Sequence, residues 1–102
     1  MQYTVNTKQR LYIGENKFSI MLYKKMIISF NKTSRVVAIY LGEDAVFQKK
    51  LSDSVLKSIK KNAECLTLAA SCEPLLEEYL DDIRRIIKNN SKYISTIFKQ
   101  LL

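Results

Sequence analysis

Histidine and tryptophan are absent from this 102-residue chain, and glycine, cysteine and proline are scarce, with two, two and one residues respectively. Without histidine, the chain lacks the commonest general base and the commonest zinc ligand. Two glycines, Gly14 and Gly42, are too few for a glycine-rich phosphate loop. Two cysteines are also too few for the disulfide framework of a small secreted domain. These absences exclude the commonest catalytic and metal-binding designs.

Long hydrophobic runs are missing as well. No uninterrupted apolar stretch reaches the roughly 18 residues that a membrane-spanning helix needs. The first ten residues are mostly polar, whereas a secretory signal places an apolar core after a charged region. We therefore expect a soluble, intracellular, cytoplasmic protein with no membrane partner.

The composition is that of an ordinary globular protein, with 47% hydrophobic and 26% charged residues. A chain of this length buries enough surface for one core, so residues 1–102 are predicted to form a single domain. Lysine outnumbers arginine by 13 to 4 and isoleucine outnumbers valine by 11 to 5. That bias is associated with AT-rich genomes, which suggests a virus or phage and hence a host cytoplasm.

Positive charge is concentrated in the first half of the chain. The whole chain has a formal net charge of +7. Residues 1–50 carry nine basic and three acidic residues, whereas residues 51–102 carry eight basic and seven acidic residues. The surplus thus belongs to the first half, where it serves either an anionic partner or solubility.

Residues 1–50 have the pattern of strands separated by turns. Apolar residues alternate with others from Phe18 to Phe30, which is the period of a half-buried strand. Lys24-Lys25 interrupts that run, so we interpret it as a hairpin because a single strand would exceed the usual length. Short connections between successive strands predict an antiparallel meander of about four strands.

Residues 51–102 change to a helical period. One predicted helix starts after Ser52 or Ser54 and runs through Leu56 to Ala70, and a second starts near Ser71 and stops at Asn89-Asn90. A last amphipathic helix begins at Ser91. Strands followed by helices predict an α+β fold, with two to three helices packed on one face of the sheet.

No arrangement of side chains in the sequence suggests catalysis. Most carboxylates lie in the helical half, interleaved with apolar positions as on a solvated helix face. Adjacent Asp81 and Asp82 point about 100° apart on a helix and do not readily share a cation. We expect a protein that is not an enzyme, with no catalytic or metal-binding residues, no cofactor and no small-molecule substrate.

The leading functional hypothesis is a small interaction module that binds a protein partner or forms a homodimer, in the manner of a regulatory or accessory protein. A chain end with a strong apolar stripe can fill a groove on a partner. The interface candidates are Tyr93, Ile94, Ile97, Phe98, Leu101 and Leu102.

The alternative hypothesis is nucleic-acid binding by the basic, aromatic-bearing first half. Single strands are held by aromatic side chains that stack on bases and by cations that contact phosphates. The candidates for this role are Arg10, Tyr12, Lys17, Tyr23, Lys24, Lys25, Lys32 and Arg35.

Overall fold

The computed structural model describes residues 2–6, 9–22, 26–70 and 79–102. The chain divides into two compact units, Met1–Lys50 and Leu51–Leu102. These are the same halves that charge and periodicity separate in the sequence. The first unit is a sheet and the second is helical, so the predicted α+β class is confirmed.

The sheet unit is a six-stranded antiparallel meander in which every strand pairs with its neighbours in the sequence. About four strands were predicted, so the sheet is larger than expected. The strands are β1 (Gln2–Asn6), β2 (Gln9–Ile13), β3 (Lys17–Met21), β4 (Met26–Asn31), β5 (Val36–Leu41) and β6 (Asp44–Lys50).

The run from Phe18 to Phe30 folds as the predicted hairpin. Strands β3 and β4 pair antiparallel with Phe18 opposite Phe30, and the amide of Leu22 donates to the carbonyl of Met26 at 2.7 Å. Lys24 and Lys25 themselves lie outside the described residues. Pairing within the run excludes the single long strand that was the other interpretation.

One face of the sheet is apolar and buried. Residues opposite one another on neighbouring strands point to the same face, so the register defines rows across the sheet. The central buried row consists of Leu11, Ile20, Ile28, Ile39 and Phe47. In the next row Phe18 and Phe30 are fully buried, with their ring centroids 5.8 Å apart. This face is the hydrophobic side of the sheet.

The described part of the second unit contains four helices: α1 (Asp53–Lys61), α2 (Glu64–Ala70), α3 (Leu80–Asn89) and α4 (Ser91–Leu101). The predicted cap is correct, because the hydroxyl of Ser52 accepts from the amide of Val55 at 3.3 Å. The predicted start near Ser71 lies outside the described residues, and α3 ends near Asn90 as expected. No helix in the described ranges is long and apolar enough to cross a membrane.

The long helix predicted through Leu56 to Ala70 is wrong, because it breaks at Asn62. Asn62 has extended backbone angles, and its side-chain oxygen accepts from the amide of Glu64 at 3.0 Å. An asparagine side chain competes with the helical hydrogen bonds of the backbone, so it ends one helix and starts the next. The apolar spacing continues through the break, which is why periodicity alone predicted one helix.

Helix α4 packs against α1 through a buried polar contact. The hydroxyl of Ser95 donates to the carbonyl of Ile59 at 3.0 Å, and both residues are buried. That carbonyl lies in the last turn of α1, where backbone acceptors have no partner within the helix. The contact therefore satisfies one end of α1 and holds α4 inside the helical unit.

Candidate nucleic-acid interface

The second face of the sheet, here called the polar face, combines small, aromatic and cationic residues. Its central row contains Tyr12 on β2, Ser19 on β3, Ser29 on β4, Ala38 on β5 and Gln48 on β6. Tyr12 and both serines are half-buried, Ala38 is buried, and Gln48 is exposed. Small side chains thus occupy the middle of the row, on β3–β5.

A second row, here called the aromatic row after its Tyr40, lies on one side of this central row, two residues away on β2–β5 and three residues away on β6, where the register shifts. It consists of Arg10, Met21, Ile27, Tyr40 and Ala45. Arg10 is exposed, whereas Met21, Ile27 and Tyr40 are half-buried. The row therefore presents a mainly apolar surface, with one aromatic ring on β5 and a cation at its β2 end.

A basic row lies on the other side of the central row. Lys17 pairs with Asn31, and Val36 pairs with Lys50. Both lysines are exposed. Two residues of strand separate successive rows on one face, so the basic and aromatic rows run side by side about 13 Å apart.

Carboxylates are missing from the polar face. Of the positions that the structure describes on it, none is Asp or Glu. Glu15 lies in the turn between β2 and β3, and Glu43 and Asp44 lie at the opposite end of the sheet from Lys17 and Lys50. Among its described positions, the face therefore carries Arg10, Lys17 and Lys50 and no acidic residue.

The hairpin between β4 and β5 adds two more cations, Lys32 and Arg35, beside the basic row. The side-chain oxygen of Asn31 accepts from the amides of Thr33 and Ser34, both at 2.9 Å, which fixes the turn. Lys32 also donates its amide to the carbonyl of Asn16 at 2.6 Å, which ties this hairpin to the preceding turn. The cations thus project from an ordered loop.

Arg35 has a left-handed backbone, with φ of 61°. A side chain at such a position costs roughly 1 kcal/mol relative to glycine. We expect Arg35→Gly to raise the free energy of unfolding by about 0.5–1 kcal/mol and to weaken binding of a polyanion. Urea denaturation and a binding titration on the same sample check both effects. A variant that loses stability would show that the arginine side chain is needed by the fold.

Five of the eight nucleic-acid candidates lie in the described sheet unit. Arg10 and Tyr12 share the polar face, and Lys17, Lys32 and Arg35 gather at one end of it. Tyr23, Lys24 and Lys25 lie outside the described residues.

Tyr40 and Lys50 were missed as members of this surface. The strand around Tyr40 was predicted. Val37 and Ile39 are apolar and flank positions of opposite orientation, so the alternation along this strand was the signal that places Tyr40 on the other face. Lys50 was missed because β6 was predicted to end at Gln48, whereas it continues to Lys50.

The C-terminal helix holds most of the predicted protein interface in the interior. Ile94, Ile97 and Phe98 are buried in the folded chain, at 0%, 5% and 0% exposure. Tyr93 and Leu101 are half-buried, and Leu102 is 37% exposed. The apolar stripe of α4 is thus mainly core, and only its edge and end reach the surface.

The hydroxyl oxygen of Tyr93 is buried and has no hydrogen-bond partner among the described residues, and burial raises the pKa of this phenol. Burying an unpaired hydroxyl costs about 1–3 kcal/mol. We therefore expect Tyr93→Phe to raise the free energy of unfolding by about 0.5–1 kcal/mol at neutral pH. A denaturation experiment with Tyr12→Phe as the surface control checks the effect.

The same phenol makes stability depend on alkaline pH. The folded chain favours the neutral hydroxyl of Tyr93. The free energy of unfolding is therefore unaffected by this group below about pH 10, and it decreases as pH rises through the raised pKa of Tyr93. Tyr93→Phe should remove this part of the alkaline loss. An equal decline from pH 9 to about 11 in both proteins would contradict the assignment.

The helical unit has a cavity of about 310 Å³ that is lined by Asn62, Glu64, Cys65, Thr67 and Arg84. The thiol of Cys65 is free. Within the described ranges, no group of three or more Asp, Glu, Cys or His side chains is placed to hold a metal ion.

Comparison with known proteins adds no relative, since the chain matches no protein-family model, no curated protein and no solved structure. The fold and its surfaces are therefore the basis for any functional proposal.

Proposed function

We propose that this chain is a non-catalytic binding module that holds nucleic acid on the polar face of its sheet. The observation that carries the proposal is the juxtaposition of Lys17 and Lys50 with a face on which no described position is acidic. Phosphate chains are bound chiefly by lysine and arginine, which displace the condensed counterions. A face without carboxylates adds no repulsion to that contact.

The number of cations sets the expected strength of the electrostatic contribution. Among the residues that the structure describes, the exposed or half-exposed cations on or beside the polar face are Arg10, Lys17, Lys32, Arg35 and Lys50. If each neutralises one phosphate of a single strand, the logarithm of the association constant falls with the logarithm of salt concentration with a slope of about −3.5. That slope is measurable at low salt and distinguishes phosphate contacts from apolar docking.

The experiment is a fluorescence-anisotropy titration of a labelled thymidine oligonucleotide of about 12 nucleotides at salt concentrations from about 50 to 200 mM. The double variant Lys17→Ala/Lys50→Ala should bind more weakly and reduce the magnitude of the slope by about 1.4. Its matched control is Lys57→Ala/Lys61→Ala, which removes the same charge from exposed positions on α1.

The control variant distinguishes binding at a local site from attraction by the net charge of the whole protein. We expect Lys57→Ala/Lys61→Ala to leave the slope close to that of the unmodified protein, because these lysines lie on α1 and are not members of the polar face. Equal weakening by both variants would mean that only the overall charge of +7 attracts the oligonucleotide. No binding at about 50 mM salt would overturn the proposal.

A protein partner or a second copy of the chain is the other candidate. Leu102 is an exposed large hydrophobic residue at the end of α4, and Leu101 before it and Tyr93 in the first turn of the helix are half-exposed. This surface is small, because the rest of the apolar stripe is buried. Light scattering that gives a dimer mass, reverting to monomer in Leu102→Ser, would favour self-association over the proposal.

A further inference from the structure

The polar face contains two parallel tracks of different chemistry. The basic row runs from Lys17 on β3 to Lys50 on β6, a distance of about 14 Å across the strands. The aromatic row runs in the same direction from Arg10 on β2, through Ile27, to Tyr40 on β5. The central row separates the two tracks, with Tyr12 at its β2 end and small residues on β3–β5.

A single nucleic-acid strand has the matching asymmetry, with phosphates along one side and unpaired bases along the other. In a duplex the bases are stacked and paired, so they present only their edges in the grooves and cannot lie flat on a sheet. Proteins that bind single strands combine a basic track with exposed aromatic rings on which bases stack. Tyr12 and Tyr40 are half-exposed aromatic residues on this face.

We infer that the polar face takes a single strand whose phosphates follow Lys17 and Lys50 while its unpaired bases lie over Tyr12, Ile27 and Tyr40. This inference rests on the proposed function and deepens it, because it names the chemical form of the nucleic acid. Ser19 and Ser29 lie between the tracks, where their hydroxyls face the base edges and can donate or accept hydrogen bonds.

Attraction between charges alone would not distinguish a single strand from other polyanions. The test therefore removes the bases of the probe and the rings of the protein separately. Four probes of equal length are compared at one salt concentration: an oligothymidine, an abasic oligonucleotide, a DNA duplex and poly-L-glutamate. We expect the oligothymidine to bind at least fivefold more tightly than the abasic strand, because base stacking on aromatic side chains is worth at least that factor per base. The polypeptide serves as the anionic protein partner.

The double variant Tyr12→Ala/Tyr40→Ala removes the rings from the protein, as the abasic strand removes the bases from the probe. It should bind oligothymidine no better than the abasic strand, while its affinity for the abasic strand stays within twofold of the unmodified protein. Tyr12→Phe/Tyr40→Phe keeps both rings and should retain the preference for bases. Circular dichroism confirms that each variant has kept its fold.

The outcomes separate the inference from the function on which it rests. Equal affinity for oligothymidine, the abasic strand and the duplex, reduced by Lys17→Ala/Lys50→Ala, overturns single-strand recognition and leaves phosphate binding intact. Tightest binding of poly-L-glutamate overturns the inference in favour of an acidic protein. Failure to bind any of the four probes overturns the inference and the proposed function together.

Discussion

Replacing Phe98 with alanine is expected to lower the free energy of unfolding by about 3–5 kcal/mol. Phe98 is fully buried on α4, so truncation removes its packing contacts and leaves a cavity. A small domain has a total stability of about 5–15 kcal/mol, and the loss is therefore a large part of it. Urea denaturation followed by far-ultraviolet circular dichroism measures the change.

Leu102→Ser is the matched control on the same helix end. Leu102 is 37% exposed, and substitutions at such surface positions change stability by about 0.5 kcal/mol or less. Comparing Phe98→Ala with Leu102→Ser shows whether the apolar stripe of α4 belongs to the core or to an interaction surface. A Phe98→Ala protein that keeps its stability but loses a partner would restore the stripe as an interaction surface.

Replacing Phe30 with alanine should also cost about 3–5 kcal/mol, this time in the sheet unit. Phe30 is fully buried and lies against Phe18, with the ring centroids 5.8 Å apart. Thermal or urea unfolding of the full chain measures the loss. The prediction matters for function because it identifies the face of the sheet that is closed to a partner.

Ser29→Ala is the control for Phe30, because the two residues are adjacent on β4 and point to opposite faces. Its stability should stay within about 0.5 kcal/mol of the unmodified protein. A shift of one residue in register would exchange the two faces, since side chains alternate with a period of two. Large losses in Ser29→Ala together with small losses in Phe30→Ala would therefore show that the polar face is assigned incorrectly.

Much of the fold follows from local patterns in the sequence. The alternation in the run from Phe18 to Phe30 predicts both strands of a hairpin, β3 and β4, which pair as expected. Ser52 predicts the start of α1 because its hydroxyl can accept from an exposed backbone amide. These features depend on neighbouring residues, so they are visible without the tertiary structure.

Other features depend on partners distant in the sequence and were missed. Strand β1 was missed although Tyr3 and Val5 alternate with polar residues, because two apolar positions are a weak signal and the strand is identified by its pairing with β2, Tyr3 opposite Leu11. The buried position of Phe98 depends on how α4 packs in its unit, whereas its spacing is equally typical of an interface helix. Amphipathic spacing shows that a face is covered and leaves open what covers it.

The candidate site likewise combines features that the local sequence predicts with features that depend on distant residues. Charge counting located the basic half of the chain, but the sequence could not show that Lys17 and Lys50 share a row, because 33 positions separate them in the sequence. Tyr40 joins Tyr12 on one face only through the pairing of β2 to β5. The site is thus a product of strand register, which requires the whole meander.

The central claim is that the polar face of the sheet is the surface that binds nucleic acid. It is tested most directly by following the backbone amide resonances of the full chain by nuclear magnetic resonance while oligothymidine is added at about 50 mM salt. The account predicts that the largest shifts fall on strands β2–β6, at positions such as Tyr12, Ser29, Tyr40 and Lys50. Shifts confined to α4 around Leu101, with an unchanged sheet, would contradict it.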